Sequence, residues 1–321
     1  MNILGIETSC DETSASIVRN GRVVLSNIVA TSLKDHQKYG GIIPEIASRR
    51  QLEFINIVTT RALTAAGLSL KQLHAVAVTE SPGLIGSLVV GRSFAHSLSF
   101  ALGIPLVKVN HIEAHVYAGY LSDKGDERSD PSREFPLPAV GLVVSGGHSS
   151  LFYIKDFTSF RIFGQTRDDA AGEAYDKVAR ILGLGYPGGP VIDKLARSVK
   201  ENDIKFPCSP MAGTNDFSFS GIKTSVLYYT QRNTKTGFSV EKVANAFQES
   251  VVNIIVKKSI EACHKKKTGS LLVGGGVAAN SSLRERLLEQ AAAEGIKVRF
   301  PSLPLCMDNA AMVAGLAYHL I

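Results

Sequence analysis

The sequence predicts an α/β protein of two lobes laid down on one plan. Three observations carry this. The chain has 321 residues, more than a single hydrophobic core usually supports, so two lobes of roughly 150 residues are expected. Each half opens on apolar or alternating runs joined by short turns, the pattern of hairpin strands. Each set of strands is then followed by alternating helix and strand patterns, which place a mixed sheet under helices.

In the first half, residues 2–7, 14–19 and 22–29 read as three antiparallel strands, with Asn20-Gly21 as a hairpin turn. Residues 44–67 carry the 3.6-residue period through Ile46, Leu52, Ile55, Val58 and Leu63 and read as an amphipathic helix. The apolar run 75–79 is a buried strand. The Gly-rich segment 82–87 leads into a helix ending near Leu102, and residues 104–109 form another buried strand. The second pass begins near Pro138: strands at 139–145, 149–155 and 160–163, an Ala-rich helix at 169–182, a helix at 240–264, a strand at 271–273 and a helix at 280–294. No sequence repeat is visible, so the duplication rests on element order. The expected division is a first lobe over 1–121, completed by a C-terminal helix over 308–321, and a second lobe over 137–307. The charged, Pro-containing stretch 122–136 is read as an interlobe loop or insertion, and a cleft between the lobes is the natural place for a ligand.

Composition narrows the function classes. With 45% hydrophobic and 20% charged residues the chain reads as an ordinary soluble protein, with no apolar run near the roughly 20 residues of a membrane span. The N-terminus lacks the features of a signal peptide. Cys10, Cys208, Cys263 and Cys306 are far apart and form neither a disulfide framework nor a thiolate zinc motif, so a cytoplasmic protein is expected. A net charge of +6 and a pI near 9.1 permit an anionic partner such as nucleic acid without requiring one. The local cluster His264-Lys265-Lys266-Lys267 reads first as a cationic helix end.

The most informative local feature is His111 and His115, four residues apart behind Asn110, a good N-cap. That spacing stacks both imidazoles on one helical face just past a strand, where they can hold a divalent metal or simply pack. Three glycine-rich turns stand out: Ser145-Gly146-Gly147-His148 in a hairpin, 186–190 as a break in the Ala-rich helix, and 274–280 between a strand and a helix. Such turns let backbone N–H groups approach a phosphate or nucleoside, but none matches the P-loop or Gly-x-Gly-x-x-Gly pattern. The acidic candidates are Asp11 and Glu12 in the first hairpin turn, Asp168, then Asp169, Glu173 and Asp176 on one helical face, and Asp308. Asp308 stands before an apolar helix as either its N-cap or the missing hard metal ligand.

The stretches 7–13, 111–115, 144–148, 169–177, 216–224 and 274–280 together resemble the universal tRNA threonylcarbamoyladenosine transferases, over essentially the whole chain. The resemblance implies the duplicated actin-like, Hsp70-like and sugar-kinase-like fold. It implies that His111, His115 and Asp308 hold one divalent metal ion, iron first, with zinc or magnesium as alternatives. It implies that Val143, Val144, Ser145, Gly146, Gly147, His148, Asp176, Gly189, Asp193, Gly275 and Asn280 line the site for threonylcarbamoyl-AMP. The implied reaction moves the threonylcarbamoyl group to N6 of the adenosine 3′ of the anticodon, position 37, in tRNAs reading ANN codons, releasing AMP. Asp11 or Glu12 would take the amine proton. The implied partners are tRNA, an actin-like paralogue and a P-loop ATPase, with no membrane. Two departures are noted: Met307 stands where a threonine is expected before Asp308, and the loop 122–136 is longer than usual.

Other readings are weaker. A metallopeptidase of the His-Glu-x-x-His type needs its base directly after the first histidine, whereas Glu113 is two positions on and about 200° around the helix. A kinase or ATP-driven scaffold of the same fold remains an alternative, although ATP chemistry prefers oxygen-ligated magnesium over two histidines.

Overall fold

The computed structural model describes residues 1–123, 135–207, 211 and 213–321. Strands β1 (Asn2–Glu7), β2 (Glu12–Arg19) and β3 (Val23–Thr31) form an antiparallel meander. Helices α1 (Leu33–Gln37) and α2 (Pro44–Ala66) follow, then β4 (Ala75–Ser81), α3 (Ile85–Leu102), β5 (Leu106–Asn110), α4 (His111–Tyr117) and the short β6 (Ser122–Asp123). The sheet order is β5-β4-β1-β2-β3-β6, with β4 parallel to β1 and β5 parallel to β4.

The second sheet repeats that order. Strands β7 (Ala139–Val144), β8 (Ser149–Asp156) and β9 (Ser159–Gln165) form the meander. Helices α5 (Ala171–Ile181), α6 (Gly188–Arg197), α7 (Ser220–Arg232) and α8 (Val240–Lys266) precede β10 (Ser270–Gly274), α9 (Ser281–Ala293) and β11 (Lys297–Arg299). The sheet order is β11-β10-β7-β8-β9, and the pairs β7/β10 and β10/β11 are parallel as β1/β4 and β4/β5 are. The strand order expected from a twice-run plan is present in both sheets, while the helices differ in number, two before β4 and four before β10.

The chain divides into two compact units, Met1–Pro136 with Pro301–Ile321, and Leu137–Phe300. The change of unit therefore falls at Pro301, earlier than residue 308, where the sequence reading placed it. Most of the expected loop 122–136 lies outside the described residues, as does Cys208.

In the first unit Leu4, Ile6, Ile17, Val76 and Val78 of the sheet pack against Ile55, Val58 and Ala62 of α2. Burial of each large side chain is worth about 1.5–3 kcal/mol. The inward stripe of α2 runs through Ala47, Gln51, Ile55, Val58, Thr59 and Ala62. Leu52, expected inside, is exposed and Gln51 takes the inner position, for a reason given below. On the other face of β1 lies α10 (Ala310–Ala317), apolar all round and buried at every residue. Gly5 makes this possible: a Cβ there would run into the carbonyl oxygen and the side chain of Ala310 and Ala314, respectively, so β1 and α10 touch backbone to backbone.

Several local expectations are corrected. Helix α3, at 18 residues, is apolar enough by length and composition to cross a membrane, although the sequence reading found no such run. Here Leu88 and Ala95 are buried, the helix packs on β4 and α2, and Ile85, Val89 and Phe100 face outward. Residues 186–190 do not merely break a helix; Pro187 is the N-cap of α6, an amphipathic helix that buries Gly188, Ile192 and Ala196 and packs on α8. Asp169 precedes α5, whose N-cap is Ala170, so Asp169, Glu173 and Asp176 do not share one helical face. Glu12 opens β2 rather than lying in the turn.

Replacing Gly5 by alanine is expected to force β1 and α10 apart and to lower stability by about 1–3 kcal/mol. Urea unfolding of the Gly5→Ala variant checks this, and a midpoint equal to the parent's contradicts it.

Candidate metal centre

The first helical turn after β5 is built by Asn110. Its side chain accepts from the backbone N–H of Ile112 at 2.9 Å and of Glu113 at 3.1 Å, starting α4 directly at the strand end. His111 and His115 therefore lie one turn apart, both buried, with ring centroids 4.6 Å apart and edge to face. The third group comes from the far end of the chain. Asp308 is not the N-cap of α10; Asn309 is, accepting from the N–H of Met312 at 3.1 Å. The Asp308 carboxylate instead faces the histidines, with Oδ1 2.9 Å from His115 Nε2 and 3.7 Å from His111 Nε2.

The ligand atoms of His111, His115 and Asp308 lie within 4.8 Å of one another. An ion at roughly 2.0–2.2 Å from each would space the donor atoms about 3–3.5 Å apart, and Asp308 Oδ1 lies 2.9 and 3.7 Å from the two imidazole nitrogens. Among the described residues His115 Nδ1 is buried without a hydrogen-bond partner, and Asp308 is the group that engages this ring's other nitrogen. Two imidazoles and one carboxylate are a donor set that suits iron or zinc and leaves coordination positions open. The residues fit a divalent metal. Glu113 is half-buried, with its carboxyl pushed up by burial, and is not among the clustered ligands.

Glu7 closes this cluster from behind. It is fully buried, and its Oε2 lies 3.0 Å from His111 Nδ1 and accepts from Thr79 Oγ1 at 2.6 Å. Burial pushes the Glu7 carboxyl up, but the His111 ring and the bonds from His111 and Thr79 bring it below the usual carboxylate range. For His111 burial works downward, while the charges of Glu7 and Asp308 overcome it and raise the ring to about 9.

The turn beside the cluster and the first residue of β2, residues 8–12, are held by their carbonyls. Gln51 Nε2 reaches the carbonyls of Thr8, Cys10 and Glu12 at 3.2, 2.8 and 3.2 Å, which is why a glutamine occupies the inner face of α2. The Leu84 N–H donates to Ser9 O at 2.8 Å, and Ser32 Oγ donates to Asp11 O at 2.9 Å while contacting the buried His36 at 3.0 Å. Asp11 is buried and Glu12 partly so. Burial, then the nearby charges of Asp308 and Asp11, raises the Glu12 carboxyl well above its ordinary value. The Cys10 thiol is pushed up by burial and by Asp308, Asp11 and Glu12, so it stays protonated. The roles of Glu7 and Gln51 were not read from the sequence. Gln51 at a position meant for an apolar residue was the signal available.

In the second unit the expected residues 143–148 and Gly275 sit at the carboxyl ends of two neighbouring parallel strands, β7 and β10, whereas Asp176 lies in α5, Gly189 and Asp193 in α6, and Asn280 at the start of α9. Val143 and Val144 are fully buried within β7, so only their backbone is available. Ser145 Oγ accepts from the His148 N–H at 3.1 Å and shapes the turn carrying Gly146 and Gly147, beside which a side chain would meet nothing within 4 Å. Gly275 has φ +90°, and a Cβ there would strike the carbonyl of Val144, so the turn after β10 lies directly against the end of β7. Asp176 Oδ1 accepts from the Gly188 N–H at 2.7 Å, joining α5 to the start of α6, where Gly189 is open on its Cβ side.

Asn280 and Asp193 have their side chains engaged within the unit. Asn280 caps α9 through Oδ1 and donates from Nδ2 to Gln248 Oε1 at 2.7 Å. Asp193 accepts from Ser281 Oγ at 2.8 Å and Gln248 Nε2 at 3.2 Å. Asp168 accepts from the backbone of Phe219 and the hydroxyls of Ser218 and Ser220, and Asp169 pairs with Lys177 and Lys223. Both acids thus anchor the start of α7. The basic cluster forms the end of α8, where Lys266 Nζ lies 4.5 Å from the Phe163 ring centre.

The family model described as TsaD, tRNA N6-adenosine threonylcarbamoyltransferase, matches residues 23–315. The chain belongs to this family. A protein named tRNA N6-adenosine threonylcarbamoyltransferase from Clostridium botulinum strain Hall is 49% identical over 321 residues, covering 99% of this chain and 92% of its own. Proteins of the same name from Clostridium kluyveri and Clostridium perfringens strain SM101 are each 48% identical over 322 and 319 residues. Among solved structures, full-length HypF in its phosphate- and nucleotide-bound form matches with a TM-score of 0.62 at 14% identity, over 99% of this chain and 55% of that one. The Acidaminococcus fermentans (R)-2-hydroxyglutaryl-CoA dehydratase component A matches at 0.57 and 13%, over 100% and 98%. At such identities the likeness is one of fold, and the fold is the duplicated actin-like one. As a member of this family, the chain is a transferase of tRNA modification.

Alanine at His111 or at Asp308 is expected to abolish stoichiometric zinc binding, while Glu113→Ala retains it; metal analysis after gel filtration decides. Retention in both His111→Ala and Asp308→Ala contradicts the site. Because His111 holds its proton up to about 9 in the metal-free protein, zinc must displace it at neutral pH. Affinity should rise about tenfold per pH unit between about pH 7 and 9 and then level, as one proton is released. Calorimetry in buffers of different ionisation enthalpy measures that proton, and a pH-independent affinity contradicts the assignment.

Proposed function

We propose that this chain transfers the threonylcarbamoyl group from threonylcarbamoyl-AMP to N6 of adenosine 37 in tRNAs reading ANN codons, forming threonylcarbamoyladenosine and releasing AMP. The observation that carries the reading is the convergence of His111, His115 and Asp308 on one point in a chain of this family. A divalent ion held by those three, iron first and zinc or magnesium as alternatives, supplies Lewis acidity and an anchor for the donor's carbonyl or carboxylate.

The chain's own residues account for the remaining chemistry. The backbone of Gly146 and Gly147, open on its Cβ side, and the Gly275 turn beside it would meet the adenylate portion of the donor. An exocyclic adenine amine is a poor nucleophile, so positioning it beside the activated carbonyl matters most. Its nitrogen lone pair attacks the carbamoyl carbon, the bond from that carbon to the phosphate oxygen breaks, and AMP leaves with the electron pair. Glu12 takes the N6 proton; its carboxyl, raised by burial and by Asp308 and Asp11, is a stronger base than an ordinary carboxylate. Asp11 is the alternative acceptor. The basic pI of about 9.1 agrees with a tRNA partner. By family resemblance an actin-like paralogue and a P-loop ATPase assist, in the cytoplasm.

Incubation of the protein, with its partner proteins present, with unmodified tRNA and threonylcarbamoyl-AMP should yield threonylcarbamoyladenosine by nucleoside mass analysis. Absence of product contradicts the reading. In single turnover Glu12→Gln is expected to transfer at least about 100-fold more slowly, and transfer at the parent rate would remove the base role from Glu12.

A further inference from the structure

Glu7 ends β1, Thr79 lies in β4 and His111 follows β5, so three neighbouring strands of the sheet deliver these side chains to one place. The Glu7 carboxylate is 0% exposed and surrounded by donors: Ser9 N–H to Oε1 at 2.5 Å, Thr79 Oγ1 to Oε2 at 2.6 Å, and His111 Nδ1 at 3.0 Å from the same Oε2. We propose that Glu7 is a positioning residue of the metal centre, which fixes the ring and tautomer of His111 and supplies the negative charge that balances a dication. This rests on the reading that His111, His115 and Asp308 hold the ion.

With Thr79 and Ser9 donating to the carboxylate, Glu7 is an acceptor at both oxygens, so the proton shared with His111 belongs on Nδ1. A proton on Nδ1 leaves Nε2 as the ligating nitrogen, and Nε2 is the atom that points at Asp308. The second histidine gives the contrast: among the described residues His115 Nδ1 has no hydrogen-bond partner, and Asp308 engages that ring at Nε2. Charge gives an independent reason. Two neutral imidazoles and Asp308 carry one negative charge, and Glu7, the acid in hydrogen-bond contact with a ligand ring, adds a second toward balancing a dication. Glu7 itself is no candidate base for the reaction, since it is enclosed and both oxygens are occupied.

The test is zinc affinity by chelator competition in the full-length protein, with cobalt substitution as a spectroscopic readout that needs no activity. Glu7→Gln keeps the shape and removes the charge; it is expected to weaken zinc binding by about 10–100-fold and to shift the visible cobalt bands. Affinity within about twofold of the parent, with unchanged cobalt bands, overturns the proposal. Should Glu7→Gln not fold, Thr79→Val removes the hydroxyl that orients Oε2 and is expected to weaken zinc about threefold or more, with no change overturning the role. Zinc retained at parent affinity by His111→Ala overturns the metal reading itself, whatever Glu7 does, and loss of tRNA modification with metal affinity intact points to the catalytic reading alone.

Discussion

The close approach of α10 to β1 is the constraint on which the candidate site depends. The last twenty or so residues return to the first sheet and lie against Gly5, where no side chain stands between helix and strand. The Ala310 N–H donates to Ser14 Oγ at 2.9 Å, pinning the start of the helix to β2. Asn309, fully buried, closes the helix end and also donates to the carbonyls of Leu305 and Met307. With both sides of Asp308 fixed in this way, its carboxylate is held beside His115, almost 200 residues away in sequence. A helix that packed one ångström farther out would carry Asp308 away from the histidines.

The chemistry then collects where parallel strands end. Glu7, Thr79 and His111 mark the ends of β1, β4 and β5, and the turns at Ser145 and Gly275 mark those of β7 and β10. Strand ends expose backbone groups that no sheet partner satisfies, and these units answer with caps, glycines and buried acids. The first unit gathers Glu7, Asp11, Glu12 and Asp308 in one region with two histidines, a surplus of negative charge that only a cation or bound protons can balance. Burial first and that surplus second raise Glu12 and keep Cys10 a thiol, while for His111 burial works downward and the surplus overcomes it. The second unit has uncharged glycine turns at the corresponding place, suited to an anionic ligand.

Much of this could be read from the sequence because local rules and tertiary structure agree there. Asn110 before His111 and His115 specifies a capped helical turn, and the hairpins of both halves follow from alternation and turn residues. Other features required knowledge of distant neighbours. Asp308 and Asn309 are both good caps, and only the packing of α10 shows that Asn309 caps and Asp308 faces the histidines. Gln51 breaks the apolar stripe of α2 because the carbonyls of the turn 8–12 need a donor, a demand set by residues some 40 positions away. Asp168 and Asp169 looked like members of a helical acidic face, but they serve the start of α7 and two lysines. Helix α3 reads as apolar along much of its length, because one of its faces is buried and the other carries Ile85, Val89 and Phe100.

The central claim is that two histidines of α4 and an aspartate before α10 hold one divalent ion. X-ray absorption of the protein loaded with one equivalent of zinc tests it most directly. Two imidazole nitrogens and carboxylate oxygen at about 2.0–2.2 Å, with no sulfur, is the result expected. A sulfur scatterer at about 2.3 Å, which would bring in Cys10, or a shell without imidazole would contradict it.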